Sequence, residues 1–219
     1  MARKALIVSG GWEGHQPAAV ADLFKELLQR EGFEVDLSNS LESFKDERYL
    51  KSLSLIVPNW TMGKITPQQL NPLLATIADG LGVAGCHGGM CDAFRDSPEW
   101  QFMTGGQWVA HPGNDRVTYN VHITNKIHPI TAGIEKFSVT TEQYYMHIDP
   151  AIDVLATTAF PNAPGPHTPN GPLDMPVMWT KLYGEGKIFY LSLGHTPQVL
   201  AAEPVTTIMR RGFLWSARA

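Results

Sequence analysis

The chain is poor in cysteine, in positive charge and in long apolar runs, and each shortage narrows what it can be. Its two cysteines, Cys86 and Cys91, stand in a C-x4-C spacing, which builds neither a disulfide scaffold nor, without further cysteines, a zinc knuckle. Such sparse use of cysteine suits a reducing compartment. Lys and Arg together number 17 against 21 Asp and Glu, so the cationic surface expected of a nucleic-acid binder is missing. No apolar stretch approaches the roughly 20 residues of a membrane span. Met1-Ala2-Arg3-Lys4 leads into a strand-like run rather than the apolar core of a signal peptide. These absences point to a cytoplasmic protein with no nucleic-acid or membrane partner, whose ligand is a small molecule. No internal repeat breaks the chain into units.

What is present is enough for one core. At 219 residues and 43% hydrophobic content the chain reads as a single domain, 1–219. Ala5-Leu6-Ile7-Val8 and Phe33-Glu34-Val35-Asp36-Leu37 flank a segment whose Val20, Leu23, Phe24, Leu27 and Leu28 recur at helical spacing. That is a strand, helix, strand unit with a parallel crossover. Leu53 to Val57 and Leu81 to Cys86 add two buried strands, with a helix opening near Thr66-Pro67 between them. After residue 97 the runs shorten and alternate, as in Val117 to Ile123 and Phe137 to Thr141. Tyr183-Gly184-Glu185-Gly186 joins two further strands as a hairpin, the second running to Gly194-His195. Residues from about Glu203 to Ser216 close the chain as a helix. The expected architecture is α/β, a mostly parallel sheet with an antiparallel hairpin extension. Phe160 to Pro172 holds five prolines and reads as a long surface loop, a candidate lid or contact in a homo-oligomer.

In open α/β sheets ligands collect beyond the carboxyl ends of the parallel strands. Three predicted strand ends carry histidine: "SGGWEGHQP" with His15, Gly85-Cys86-His87-Gly88-Gly89, and Gly194-His195-Thr196. Each alone could be a satisfied structural residue, but together they suggest one rim. The middle segment also fits a nucleophile elbow, a sharp strand-to-helix turn that needs small neighbours. Gly85 to Gly89 puts His87 at the apex, whereas Ala84 to Gly88 puts Cys86 there. Glycine on both sides favours His87. A Cys86 apex with His195 as base would instead make a thiolate acyl-transfer site.

The chain resembles the ThuA-like family, named for a trehalose-utilisation protein, over nearly its whole length. The marks are Gly10-Gly11 with His15; Cys86-His87-Gly88-Gly89; Thr104-Gly105-Gly106 with His111-Pro112; His128-Pro129-Ile130-Thr131-Ala132-Gly133; Glu142-Gln143-Tyr144; and Pro176-Val177 through Gly184-Glu185-Gly186-Lys187 to Leu193-Gly194-His195. The resemblance implies a three-layer, flavodoxin-like sheet of the class I glutamine amidotransferase-like type and a role in carbohydrate use. It argues against amidotransfer. The wider fold class pairs an elbow cysteine with a histidine followed two residues later by glutamate, and here Pro197 stands in that place. The family commonly has an aspartate before its glutamate; here Thr141 precedes Glu142.

A sugar enzyme needs proton carriers tuned near neutrality, hydrogen-bonding rings and an aromatic platform. The expected catalytic set is therefore His87 and His195 as acid/base pair with Glu142 orienting or charging one of them. The expected ligand-contacting set is Gly10, Gly11, Trp12, His15, Asn59, Trp60, Cys86, Gly88, Gly89, His111, Tyr144 and His147, with Trp12, Trp60 and Tyr144 as stacking surfaces. If residues 142 onward run as a strand, Glu142, Tyr144 and Met146 share one face, and His147 faces the site only where that strand has already ended. No cofactor is required by the sequence. Eight histidines leave a divalent metal open, although no local ligand motif marks one. The expected substrate is a glycoside or keto-sugar, processed by hydrolysis, elimination or isomerisation. The alternative is a non-catalytic sugar-binding or regulatory module on the same scaffold.

Overall fold

A computed structural model of the chain describes residues 3–219; the Met1-Ala2 lead-in to the first strand lies outside the described residues. The elements in order are β1 (Arg3–Gly11), α1 (Pro17–Arg30), β2 (Phe33–Ser38), α2 (Glu47–Ser52), β3 (Leu55–Thr61), α3 (Pro67–Ala78), β4 (Gly82–Cys86), α4 (His87–Cys91) and α5 (Pro98–Thr104). They continue as β5 (Gly106–Ala110), β6 (Val117–Ile123), β7 (Phe137–Thr141), β8 (Tyr145–Ile148), β9 (Asp153–Phe160), β10 (Leu173–Tyr183), β11 (Gly186–Leu191), α6 (Pro197–Ala201) and α7 (Val205–Ser216).

One nine-stranded sheet has the order β2-β1-β3-β4-β11-β10-β9-β6-β7. Strands β2, β1, β3, β4 and β11 run parallel, the flavodoxin-like order. From β11 onward every neighbour is antiparallel, so the extension continues beyond the expected hairpin through β10, β9, β6 and β7. β11 ends at Leu191 rather than at His195, which leaves residues 192–196 free to form a loop over the rim. β5 and β8 pair apart from the main sheet.

Alternation along the strands builds two cores. Ala5, Ile7, Leu55, Val57, Ala84 and Phe189 point to the side that α1 and α7 cover, while Leu6, Val8, Ile56, Val83 and Tyr190 point to the side of α3 and α5. On α1, Val20, Ala21, Phe24, Leu27 and Leu28 form the buried stripe, with Phe24 edge-on to Phe213 of α7 at 5.2 Å. Each buried Val, Leu or Phe among them contributes about 1.5–3 kcal/mol. With layers on both faces, the carboxyl ends of the parallel strands are the uncovered edge of the sheet. No helix among the described residues is long and apolar enough to cross a membrane. The 161–172 connection contains only a 3-10 turn at Thr168–Asn170, as a surface loop should.

Candidate functional site

Four connections bring side chains to that edge. After β1 the chain makes a 3-10 turn, Glu13–His15, that carries Trp12 and the buried His15. After β4 the backbone passes from extended at Cys86 (φ −141°, ψ 164°) to left-handed at His87 (φ 47°), then enters the five-residue α4. His87 is therefore the apex of the elbow. Holding a non-glycine residue there costs on the order of 1–2 kcal/mol. After β11, Gly194 turns the chain so that His195 faces back over β4. Glu142 and Tyr144 reach the same place from between β7 and β8. Besides His87, the described non-glycine residues with positive φ are Gln16, Met62 and Asn114. Met62 and Asn114 line the cavity and Gln16 adjoins His15, and such strain gathers where geometry is over-determined.

The buried Glu142 carboxylate lies among imidazoles. Its Oε2 is 3.1 Å from His87 Nε2, and its Oε1 is 3.3 Å from His195 Nδ1 and 3.8 Å from His111 Nδ1. His15 packs edge-on against His87 at 4.7 Å and His195 at 5.2 Å, and His87 stacks on Tyr144 at 4.2 Å. Two anchors fix rings from behind: His87 Nδ1 donates to Ser192 O at 2.8 Å, and His15 Nδ1 pairs with Thr61 Oγ1 at 2.9 Å. Yet among the described residues His87 Nε2, Glu142 Oε2, His111 Nδ1 and His195 Nδ1 are buried without an aligned hydrogen-bond partner. The groups crowd together but do not point along one another's bonds.

Their acidities separate accordingly. Burial pushes the Glu142 carboxyl up, but contact with His195 and His87 and the charges of His87 and His111 outweigh it and hold the carboxyl far below the usual range. Burial, then the charges of His87 and His195, pushes His15 down to about 3. Burial also lowers His87 despite the neighbouring Glu142. His195, partly buried, is raised by its contact with Glu142 against a smaller effect of burial.

These groups form the floor of a cavity of about 340 Å³ whose walls include Trp12, Trp108, His111, Tyr144, Asp92 and Arg95. Of the residues singled out in the sequence, Trp12, His15, His111, Glu142, Tyr144 and His195 line it, and His87 lies directly behind Glu142. The others do not line it. Gly10, Gly11 and Trp60 border a separate cavity of about 680 Å³ beside α1, with the Trp60 ring filling the space against Gly10. Asn59 is consumed by hydrogen bonds from Nδ2 to Ser9 Oγ and Pro17 O. Gly88 and Gly89 serve by lacking a side chain, giving room to His15 and Asn59. Cys86 is sealed in the core, where burial pushes its thiol up to about 12, so no thiolate forms near neutrality. The acyl-transfer alternative therefore lacks its nucleophile. β8 already runs at Tyr145–Ile148, which turns His147 outward to solvent. Tyr144 is buried beneath His87 rather than open for stacking.

Among the participants not anticipated are Thr61 and Ser192, which anchor rings, and Asp92, Arg95 and Trp108 in the cavity wall. Arg95 grips Asp92 through Nε (2.5 Å) and Nη2 (2.8 Å) and lies over the Trp108 ring at 4.6 Å. The D-x-x-R spacing just past the elbow was the available signal, an acid and a base close enough in sequence to pair in the irregular turns that follow α4. Thr61 and Trp108 carried none.

With this geometry in view, the comparisons with known proteins are specific about kinship. The family model described as trehalose utilisation, ThuA, matches residues 4–216. A structure described as a ThuA-like protein from Parabacteroides merdae superposes with a TM-score of 0.79 at 19% identity, covering 99% of this chain and 90% of that one. One from Bacteroides uniformis gives 0.78 at 18%, covering 98% and 91%. A glutamine amidotransferase from Thermotoga maritima gives 0.54 at 12%, covering 88% and 75%. At such identities the structural likenesses speak for the fold. No curated protein matches the chain in sequence.

Proposed function

The chain belongs to the trehalose-utilisation (ThuA) family, and from that premise we propose that it is an enzyme of carbohydrate breakdown, acting on a glycoside or keto-sugar by acid/base chemistry. The supporting observation is the buried Glu142 carboxylate, approached at 3.1 Å by His87 and 3.3 Å by His195 at the floor of an aromatic-walled cavity. A sugar ring would lie against Trp12 and Trp108, the apolar surfaces that remain open there. His195, whose protonated form the contact with Glu142 favours, is the proton donor to a leaving or carbonyl oxygen, and its neutral form then takes a proton back. His87 is a positioning residue, its ring held by Ser192 through Nδ1 and packed 3.1 Å behind the carboxylate. Hydrolysis, elimination and isomerisation all need this donor; product identity separates them.

The experiment is a turnover screen of disaccharides and their 3-keto derivatives, with sugar binding measured separately by calorimetry. Glu142→Gln, which removes the charge that supports the proton carrier His195, is expected to lower kcat by about 100-fold, with binding changed little. A parent chain that binds a sugar and shows no turnover would replace this reading with the non-catalytic module.

A further inference from the structure

We propose that His15, His87, Glu142 and His195 form a binding site for one divalent transition-metal ion. The inference goes beyond the sugar reading and does not need it, because metal binding is read without substrate. Each of the four residues offers one ligand atom, and all of these atoms lie within 4.8 Å of one another. A tetrahedral ion with bonds of about 2.0–2.1 Å sets adjacent ligand atoms roughly 3.4 Å apart. The His87 Nε2 to Glu142 Oε2 distance of 3.1 Å already matches, and His195 Nδ1 stands 3.3 Å from the other oxygen of the same carboxylate, Oε1.

The orphaned atoms carry the argument furthest. Ser192 O can only accept, so the hydrogen of neutral His87 sits on Nδ1, and Nε2 presents a lone pair toward Glu142 Oε2, itself an acceptor. Two buried acceptors facing each other without an aligned donor are costly, and a shared cation removes that cost. Metal-binding imidazoles are typically fixed through the ring nitrogen that does not ligate. Ser192 does this for His87 and Thr61 for His15. Three imidazoles and one carboxylate suit zinc and its first-row neighbours, whereas magnesium and calcium prefer oxygen throughout. The ligands arrive from four separate connections, which is why no local spacing announces them. Glu142, His15 and His195 line the open cavity, so an oxygen entering from it would approach the ion as a fifth ligand.

The test is titration of chelator-treated full-length protein with Co2+ followed by its visible absorption, and with Zn2+ in competition with a chromophoric chelator. About one equivalent of cobalt should bind with a ligand-field spectrum, displaced by zinc and unaffected by excess magnesium. His195→Asn, outside any helix or strand, and Glu142→Gln should each weaken zinc binding by at least about 10-fold. His147→Asn, outside the cluster, should leave it unchanged. Circular dichroism establishes that each variant is folded, and His195→Asn tests the site even if Glu142→Gln does not fold. Absence of a cobalt spectrum in the parent chain, or one that survives in both cluster variants, would overturn the proposal. Neither result bears on sugar turnover, which is scored in its own assay.

Discussion

Gly88 presents bare backbone to the imidazole of His15: a Cβ at that position would lie 2.7 Å from His15 Cε1. Backbone and ring are both confined, the first by the elbow and the second by Thr61. Gly88→Ala should therefore rotate or displace His15 and cost about 1–3 kcal/mol, although alanine is the better helix former. Urea unfolding gives the energy, and the His15 imidazole nitrogen shifts give the displacement. An unmoved His15 resonance would show that the packing is looser than described.

Cys86 separates the elbow seen here from a thiol enzyme. Its burial and raised pKa predict no alkylation by iodoacetamide in the native chain, with full labelling once urea unfolds it. Sugar turnover should survive prolonged exposure to the reagent. Fast native labelling of Cys86, followed by mass spectrometry, would restore the thiolate alternative.

Arg95 reaches the cavity with its guanidinium clamped by Asp92 and laid on Trp108. A planar, fixed donor at that wall fits recognition of sugar hydroxyls, and lysine cannot reproduce the fork. Arg95→Lys is expected to raise KM about ten-fold, equivalent to about 1.4 kcal/mol, with kcat nearly unchanged. A fall in kcat at constant KM would instead put Arg95 among the proton-handling groups.

Away from the site, Lys181 is buried with its ammonium on Asp149 and the Phe102 carbonyl. The Lys181 hydrogen bond, then the Ala151 N–H, holds the Asp149 carboxyl below its ordinary value. A depressed carboxyl contributes stability that is complete above its unfolded value of about 3.9 and is lost as pH falls through the lower folded value. Asp149→Asn should cost about 1–3 kcal/mol at neutral pH, since Lys181 loses its counter-charge while Asp149 itself is partly solvated. The gap between parent and variant in urea unfolding should narrow below about pH 4. A gap independent of pH would remove the charge from the explanation.

What the sequence alone determined is what depends on near neighbours. The stripe on α1, the alternation in β6 and the turn residues before β11 are written within a few positions, and so was the gathering of histidine at the ends of three parallel strands. The preference for His87 over Cys86 at the apex also followed from local sterics, two flanking glycines. The tertiary structure decided the rest, because it depends on which distant connections share a space. Glu142 enters from the antiparallel half, and only folding shows it set between His87 and His195. Gly10, Gly11 and Trp60 sit next to His15 in the chain's logic, yet a turn of the backbone sends them to another cavity. His147 was one residue of strand register from the site, and pairing of β8 with β5 turned it to solvent. Convergence at a point is a property of the packed layers, and no residue's spacing along the chain encodes it.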